Sequence, residues 1–366
     1  MSVILDFLCC AAFQESEPFE SRQPKFRERL LQEGGGSGES DAAVTRALRW
    51  LLKTQKPDGS WAVPEEDYAV GVTGLAVLAF LGAGHSPKSE EYGPTIPSAL
   101  RFLISAQDSE GCVGPRGEKH LYGHAVATAA FAEALALGGT NDDAARVRKA
   151  VDFLVGAQNP GKGWRYAAKC GDNDTSVTAW AVQALWSAEQ AGLTFPKAAY
   201  DGALAWIDQV TDASGRVRCI PNPHRMIPGR DEMLDPHETP TAMAMISRYR
   251  MSKVRKESRL AAGTLLLGKD LPRWERDSVD FCYWHFGSIA QFRIEGPAGE
   301  TWKAWNAALL PALLKHQVDA GEHQGSWDPV DRWSTHVPRR FYATAMNAMT
   351  LETCYRYGQF SGDRDR

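Results

Sequence analysis

Ala47-Leu48-Arg49-Trp50-Leu51, followed by Gln55, Gly59 and Trp61, is a phrase this chain repeats about every fifty residues. Ala99-Leu100-Arg101-Phe102-Leu103 leads to Gln107 and Gly111. Ala150-Val151-Asp152-Phe153-Leu154 leads to Gln158, Gly163 and Trp164, and Ala312-Leu313-Leu314 leads to Gln317, Gly325, Ser326 and Trp327. Two weaker copies stand at Ala203–Ile207 and Ala262–Leu266. A period of this length marks an array of like units, each needing its neighbours to bury its apolar side.

A second phrase follows each copy of the first. It reads Thr73-Gly74-Leu75, Thr128-Ala129-Ala130, Thr178-Ala179-Trp180, Thr241-Ala242-Met243, the looser Ser288-Ile289-Ala290, and Thr344-Ala345-Met346. These segments are apolar around most of their circumference, as expected of helices buried on several sides. The first-phrase segments carry more charge and suit an outer layer. The expected fold is all-α: a single (α/α)6 toroid of about six helix pairs over 41–358. Residues 1–40 are a leader and a flexible Gly/Ser linker (Glu33–Ser40), with Ser40 or Asp41 capping the first helix, and 359–366 are a polar tail. In the turns, glycine permits the tight backbone and tryptophan packs over the outer helix. The Gln-Gly-Trp motif is thus a structural staple without a catalytic part.

Composition narrows function only broadly. The 366 residues are 43% hydrophobic and 23% charged with net charge −4, so nothing draws the chain to nucleic acid. No stretch reaches the length of a membrane span. Met1–Phe13 is apolar but short, is interrupted by Asp6 and lacks a preceding basic residue, which makes a poor signal peptide. Its other readings are a leader remnant or a short membrane-touching segment. The expected location is cytoplasmic or peripheral to a membrane, with export left open. Seven cysteines without framework spacing are expected to be mostly free thiols, and Cys9-Cys10 has no explanation.

The Gln-Gly-Trp turns resemble the QW repeat of squalene–hopene cyclases, and the array resembles the prenyltransferase and squalene-oxidase repeat superfamily. The resemblance covers roughly 41–358. It implies a toroid whose inner helices surround a central, often apolar cavity for an isoprenoid or other lipid. Class II terpene cyclases of this kind protonate an alkene with an aspartic acid from an Asp-x-Asp-Asp motif at an inner-helix start. Such an acid needs burial and a neighbouring anion to stay protonated. Gly171-Asp172-Asn173-Asp174 sits in the matching place, so Asp172 and Asp174 are the candidate acids, although Asn173 falls where the acid should be. Protein prenyltransferase β subunits hold zinc through an Asp-x-Cys pair and a distant histidine. Asp280-Phe281-Cys282 resembles that pair, but Ala343 stands in the histidine's place. His285, on the same helix as Cys282, is poorly spaced to complete a ligand set with both. No cofactor or zinc is therefore expected, and Asp280 and Cys282 are weak metal candidates.

Four residues before each repeated Thr or Ser stand Ala69, His124, Asp174, His237, Trp284 and Arg340. Equivalent positions on six helices share one level at the positive helix ends. His124, His237, Trp284 and Arg340, with Trp180, Tyr283 and Tyr342, are thus the candidate substrate-binding residues. Each also has a structural reading: Asp174 as a helix cap, His124 as a core histidine, the aromatics as core. A glycosidase pair drawn from Asp172, Asp174, Asp280 and Glu238 is the fold's other chemistry, against which the QW turns argue. The function class expected is an isoprenoid-binding toroid, with acid-initiated cyclisation or isomerisation if it is an enzyme. The alternative is a non-catalytic lipid-binding or assembly module, which Asn173 and Ala343 favour.

Overall fold

A computed structural model describes residues 19–61, 66–220, 237–254, 256–275, 278–334 and 339–358. Among these the structure is helical, with only isolated β-bridges inside turns, such as Gln107 with Val113 and Gln317 with Trp327. The outer helices are α2 (Gly38–Thr54), α4 (Thr95–Ser105), α6 (Asn141–Ala157), α8 (Ala198–Val210), α10 (Ser258–Leu267) and α12 (Glu300–Leu314). They alternate with the inner helices α3 (Glu66–Gly82), α5 (His120–Ala136), α7 (Thr175–Gln190), α9 (Thr239–Ser252), α11 (Phe281–Glu295) and α13 (Arg339–Leu351). Each inner helix packs on the next, and α13 packs on α3, which closes the ring. None of the described helices is long and apolar enough to cross a membrane.

The two layers differ as their sequences require. α5 buries every side chain from His124 to Ala134. α2 buries Ala43, Val44, Ala47, Leu48, Trp50 and Leu51, one stripe at helical spacing.

The Gln-Gly-Trp turn makes three links. Its indole N–H caps a carbonyl near the end of its own outer helix: Trp61 to Leu51 O at 2.9 Å, Trp164 to Leu154 O at 2.8 Å and Trp327 to Leu313 O at 2.9 Å. Its glutamine amide reaches a carbonyl of its own turn and one on the next outer helix. Gln55 bonds Gly59 O and Thr95 O, Gln107 bonds Gly111 O and Arg146 O, and Gln158 bonds Lys162 O and Ala199 O. Gln317 bonds Gly325 O and Ala43 O, both at 2.8 Å, and so ties the sixth repeat to the first. The third link runs inward. The Trp61, Trp164 and Trp327 amides donate to the repeated threonines Thr73, Thr178 and Thr344.

Glycine is required where the turn meets the neighbouring helix. Gly325 has φ +92°, and a Cβ there would strike the Arg46 carbonyl. In the third repeat the equivalent turn residue is Lys162 rather than glycine, and Gly202 on the facing helix supplies the space.

The stretch expected to be a flexible linker is part of the fold. α1 (Pro24–Glu33) precedes it. Trp302 donates to Gly34 O at 2.9 Å and Asn306 to Gly35 O at 2.7 Å. The cap of α2 is Ser37, which forms a reciprocal capping box with Ser40, rather than Ser40 or Asp41. α1 and a 3-10 turn (Glu20–Arg22) pack on α14 (Thr353–Arg356), at the end of the ring where inner helices finish. The leader 1–18, with Cys9-Cys10, and the tail 359–366 lie outside the described residues.

Gln317→Ala removes the tie between last and first repeats and leaves two carbonyls without their donor. We expect a loss of about 2 kcal/mol in urea unfolding. Gly325→Ala is expected to cost at least about 1 kcal/mol, because φ and space both oppose it.

Candidate active site

The repeated threonines face outward, toward the turns they bond. A residue four positions earlier lies on the same helix face. This explains where the ring of candidates one turn before the threonines ends up. His124 turns away from the lumen: its Nδ1 accepts from the Val113 amide at 3.0 Å and its Nε2 faces Ala150 O at 3.1 Å. It does for the second repeat what threonine does for the first, third, fourth and sixth. Burial lowers its pKa to about 3, so it is a neutral structural group. Trp284 packs against Trp274 and Phe281, with Trp274 in turn stacked on His316. Arg340 bonds Ser326 Oγ at 3.0 Å and pairs with Asp328 on the sixth turn. Tyr283 also points outward, its ring 5.2 Å from Trp305 and its hydroxyl donating to Asp270 O at 2.8 Å.

The lumen face lies two residues from the threonines, about 200° round the helix. Trp180 and Tyr342 occupy it, as does Phe286 two residues before Ser288. Trp180 is on α7 and Phe286 on α11, which are not neighbours in the ring, and their rings meet at 5.4 Å. Trp180 Nε1 donates to Tyr122 Oη at 2.8 Å. Tyr122, on α5, lies within electrostatic reach of Cys282 on α11 and Tyr342 on α13, across the ring. Burial pushes the Tyr122 and Tyr342 phenols and the Cys282 thiol well up, so all three are neutral.

The two aspartates of the Asp-x-Asp-Asp match are placed otherwise. Asp174 caps α7: Oδ1 accepts from the Ser176 amide at 2.8 Å, the Ser176 hydroxyl at 2.6 Å and the Val177 amide at 3.4 Å. The Cys219 thiol lies 3.6 Å away. Asp172 is on the surface, its side chain 55% exposed and 3.4 Å from Arg165. It lacks the burial a stored proton requires. Asn173 ties the loop to Asn159.

A third aspartate meets both requirements. Asp331, in the connection between α12 and α13, is 1% exposed. The Ser334 hydroxyl and amide hold Oδ1, and Oδ2 has no hydrogen-bond partner among the described residues. Burial first, and then the nearby Asp280 charge, raise its pKa to about 7 against the Ser334 hydrogen bonds. Asp280 caps α11, accepting from the Tyr283 amide and Trp333 Nε1 at 2.8 Å each and from Thr239 Oγ1 at 2.9 Å. His237 packs edge-on against Trp333 at 5.8 Å, at the same mouth. Asp331 is also within electrostatic reach of Cys282 and Tyr342 on the lumen side. No sequence signal marks Asp331, since it stands in a loop outside both repeated phrases. The sequence marks Asp280 only as a metal candidate or half of a glycosidase pair. Among the described residues no three His, Cys, Asp or Glu side chains group as metal ligands. Cys282 is a buried neutral thiol, and Asp280 is occupied by three donors.

Residues 66–216 match the family model described as squalene-hopene cyclase C-terminal domain. Over this stretch the chain resembles the squalene–hopene cyclases. It is 27% identical over 192 residues to a squalene–hopene cyclase of Bradyrhizobium diazoefficiens, an alignment covering 44% of this chain and 28% of that relative. The type II terpene cyclase MstE from Scytonema superposes with a TM-score of 0.57 at 14% identity, covering 87% of this chain and 97% of that one. The α-1,6-mannanase GH76A of Salegentibacter, an inactive variant with mannotetrose, gives 0.62 at 10% identity, covering 86% and 98%. At these identities the structural likeness speaks for the fold alone, and that fold hosts unrelated chemistries.

The raised pKa of Asp331 has a sign that can be checked. Between its ordinary 3.8 and about 7 the folded state holds a proton that the unfolded state has lost. Stability therefore falls as pH rises through that window. Glu352, raised from 4.5 to about 7, adds to the same trend. Asp331→Asn should flatten part of the fall between pH 5 and 8. It should stabilise the protein at pH 8 by at most on the order of 4 kcal/mol, measured by urea unfolding at each pH.

Proposed function

We propose that this toroid binds an isoprenoid or similar polyene in its lumen and starts its cyclisation or isomerisation by proton transfer from Asp331. The observation that carries this is a buried carboxylic acid with one oxygen unengaged, beside a second carboxylate, at the lumen mouth. The proton moves from Asp331 Oδ2 to an alkene carbon, and the π pair becomes the new C–H bond. A second alkene of the same molecule closes on the resulting cation. Loss of a proton from carbon restores an alkene, and solvent reprotonates Asp331. Tyr122, Trp180, Phe286 and Tyr342 offer the π faces that stabilise a passing cation. A variant of MstE has been solved in complex with its substrate, geranylgeranyl dihydroxybenzoate. That substrate's polyprenyl chain is the kind of ligand this aromatic lumen suits.

Asp172 and Asp174 are not needed in this scheme, Asp174 serving as a cap. The competing reading, a non-catalytic lipid-binding module, keeps the lumen and dispenses with the acid. The two separate on a chemical readout. Protein should be purified with its lipids and examined by mass spectrometry, then incubated with polyprenyl substrates in D2O. Acid-initiated turnover places one solvent deuterium in each cyclised product. Asp331→Asn is expected to lose at least about 100-fold in turnover while still retaining lipid. Asp172→Asn is expected to turn over as wild type. Wild-type turnover in Asp331→Asn contradicts the assignment, and lipid retention without any product in wild type supports the binding module.

A further inference from the structure

The end of the toroid opposite Asp331 holds a second set of groups that this chemistry does not use. Three arginines converge there from three elements. Arg22 comes from the 3-10 turn before α1, Arg250 from the end of α9 and Arg356 from α14, and they are 1%, 3% and 4% exposed. Glu133, fully buried on α5, faces all three electrostatically and accepts from Arg22 at 2.6 Å and Arg356 at 3.1 Å. Glu352 pairs with Arg356 at 3.0 Å. Three guanidinium groups thus face two carboxylates. Arg293, half-buried nearby, adds to the positive side while bonding Tyr357 O and Tyr249 Oη.

Donors remain over in the same place. Arg250 Nη1 and Nη2, Arg22 Nε and Nη2 and Arg356 Nε have no hydrogen-bond partner among the described residues. Arg250 lies over the Trp186 ring at 5.0 Å, Phe19 meets that ring edge-on at 6.1 Å, and Arg22 lies over Phe19 at 4.0 Å. The three arginines are thus clustered in one place, with the segment from Phe19 to Arg22 packed against them. A buried, unpaired charge is among the costlier things a fold can hold, and a buried anion with several acceptor oxygens removes that cost. Planar guanidinium groups match phosphate-type oxygens in particular.

We propose that this cluster is a buried binding site for a phosphate-class oxyanion, held by Arg250 with Arg22 and Arg356. The inference is independent of the lumen chemistry at the mouth. The anion is either free or the head of a larger ligand, and the test separates these sources.

Inorganic pyrophosphate and farnesyl diphosphate are titrated into the purified chain in phosphate- and sulfate-free buffer, followed by thermal melting and calorimetry. A saturable rise in Tm with pyrophosphate is expected. Arg250→Met should raise the pyrophosphate Kd at least tenfold and, having lost an uncompensated charge, should melt no lower than wild type without the anion. Arg250→Lys, which keeps the charge, should retain weaker binding. Asp331→Asn should bind pyrophosphate as wild type does, so failure of the mouth assignment leaves this readout intact. Farnesyl diphosphate binding at least tenfold tighter than pyrophosphate identifies the anion as a ligand's head. Equal affinity identifies a free anion. No saturable response to either compound, or full binding in Arg250→Met, overturns the proposal.

Discussion

The structure depends on one hydrogen-bonding arrangement: a glutamine amide shared between its own turn and the neighbouring repeat. A helix pair of this kind cannot bury its inner helix alone, so each must be fixed to the next. Gln55, Gln107 and Gln158 do this between consecutive outer helices, and Gln317 does it between the last and the first. The Gln317 bond joins the packing of α13 on α3 and α2 and of α12 on α2 in closing the array into a ring with two different ends. The tryptophan and threonine links then set the rotation of each helix, turning the threonine face outward and the face 200° away inward.

That rotation decides what the sequence could reveal. The repeat, the helix order and the two layers were legible because Gln-Gly-Trp and the Thr phrase recur at fixed spacing. The facing of the inner helices was not, because a helix buried on every side shows no polar stripe to orient it. Counting back four residues from threonine selected the threonine's own face. His124, Trp284 and Arg340 consequently serve the turns and the layer between rings. Trp180 and Tyr342 stand on the opposite face, where Trp180 meets Phe286 of α11. Asp174 is readable as a cap first and as an acid second, and the amides of Ser176 and Val177 make it a cap. Burial beside a second carboxylate is a property of the folded chain. Only folding brings Asp331 to Asp280, fifty-one residues earlier in the chain.

Closing the ring with all inner helices parallel also gives the ends opposite electrostatic characters. Helix N-termini gather at one mouth, where Asp174 and Asp280 cap α7 and α11. Helix C-termini gather at the other, where Arg356 bonds Leu78 O and Arg22 approaches Leu81 O at 3.4 Å. The 3-10 turn Glu20–Arg22 and α1, which precede the stretch read as a linker, pack on α14 at that second end. The charge asymmetry is therefore a consequence of topology, with Asp331 beside the caps at one end and the three buried arginines at the other.

The protonation state of Asp331 tests the account most directly. A carbon-13 shift titration of its side-chain carboxyl, assigned by comparison with Asp331→Asn, measures it without knowledge of any substrate. The account predicts a midpoint near pH 7, with the carboxyl protonated through pH 5 and 6. An Asp331 already ionised at pH 5, like an ordinary surface aspartate, would contradict it.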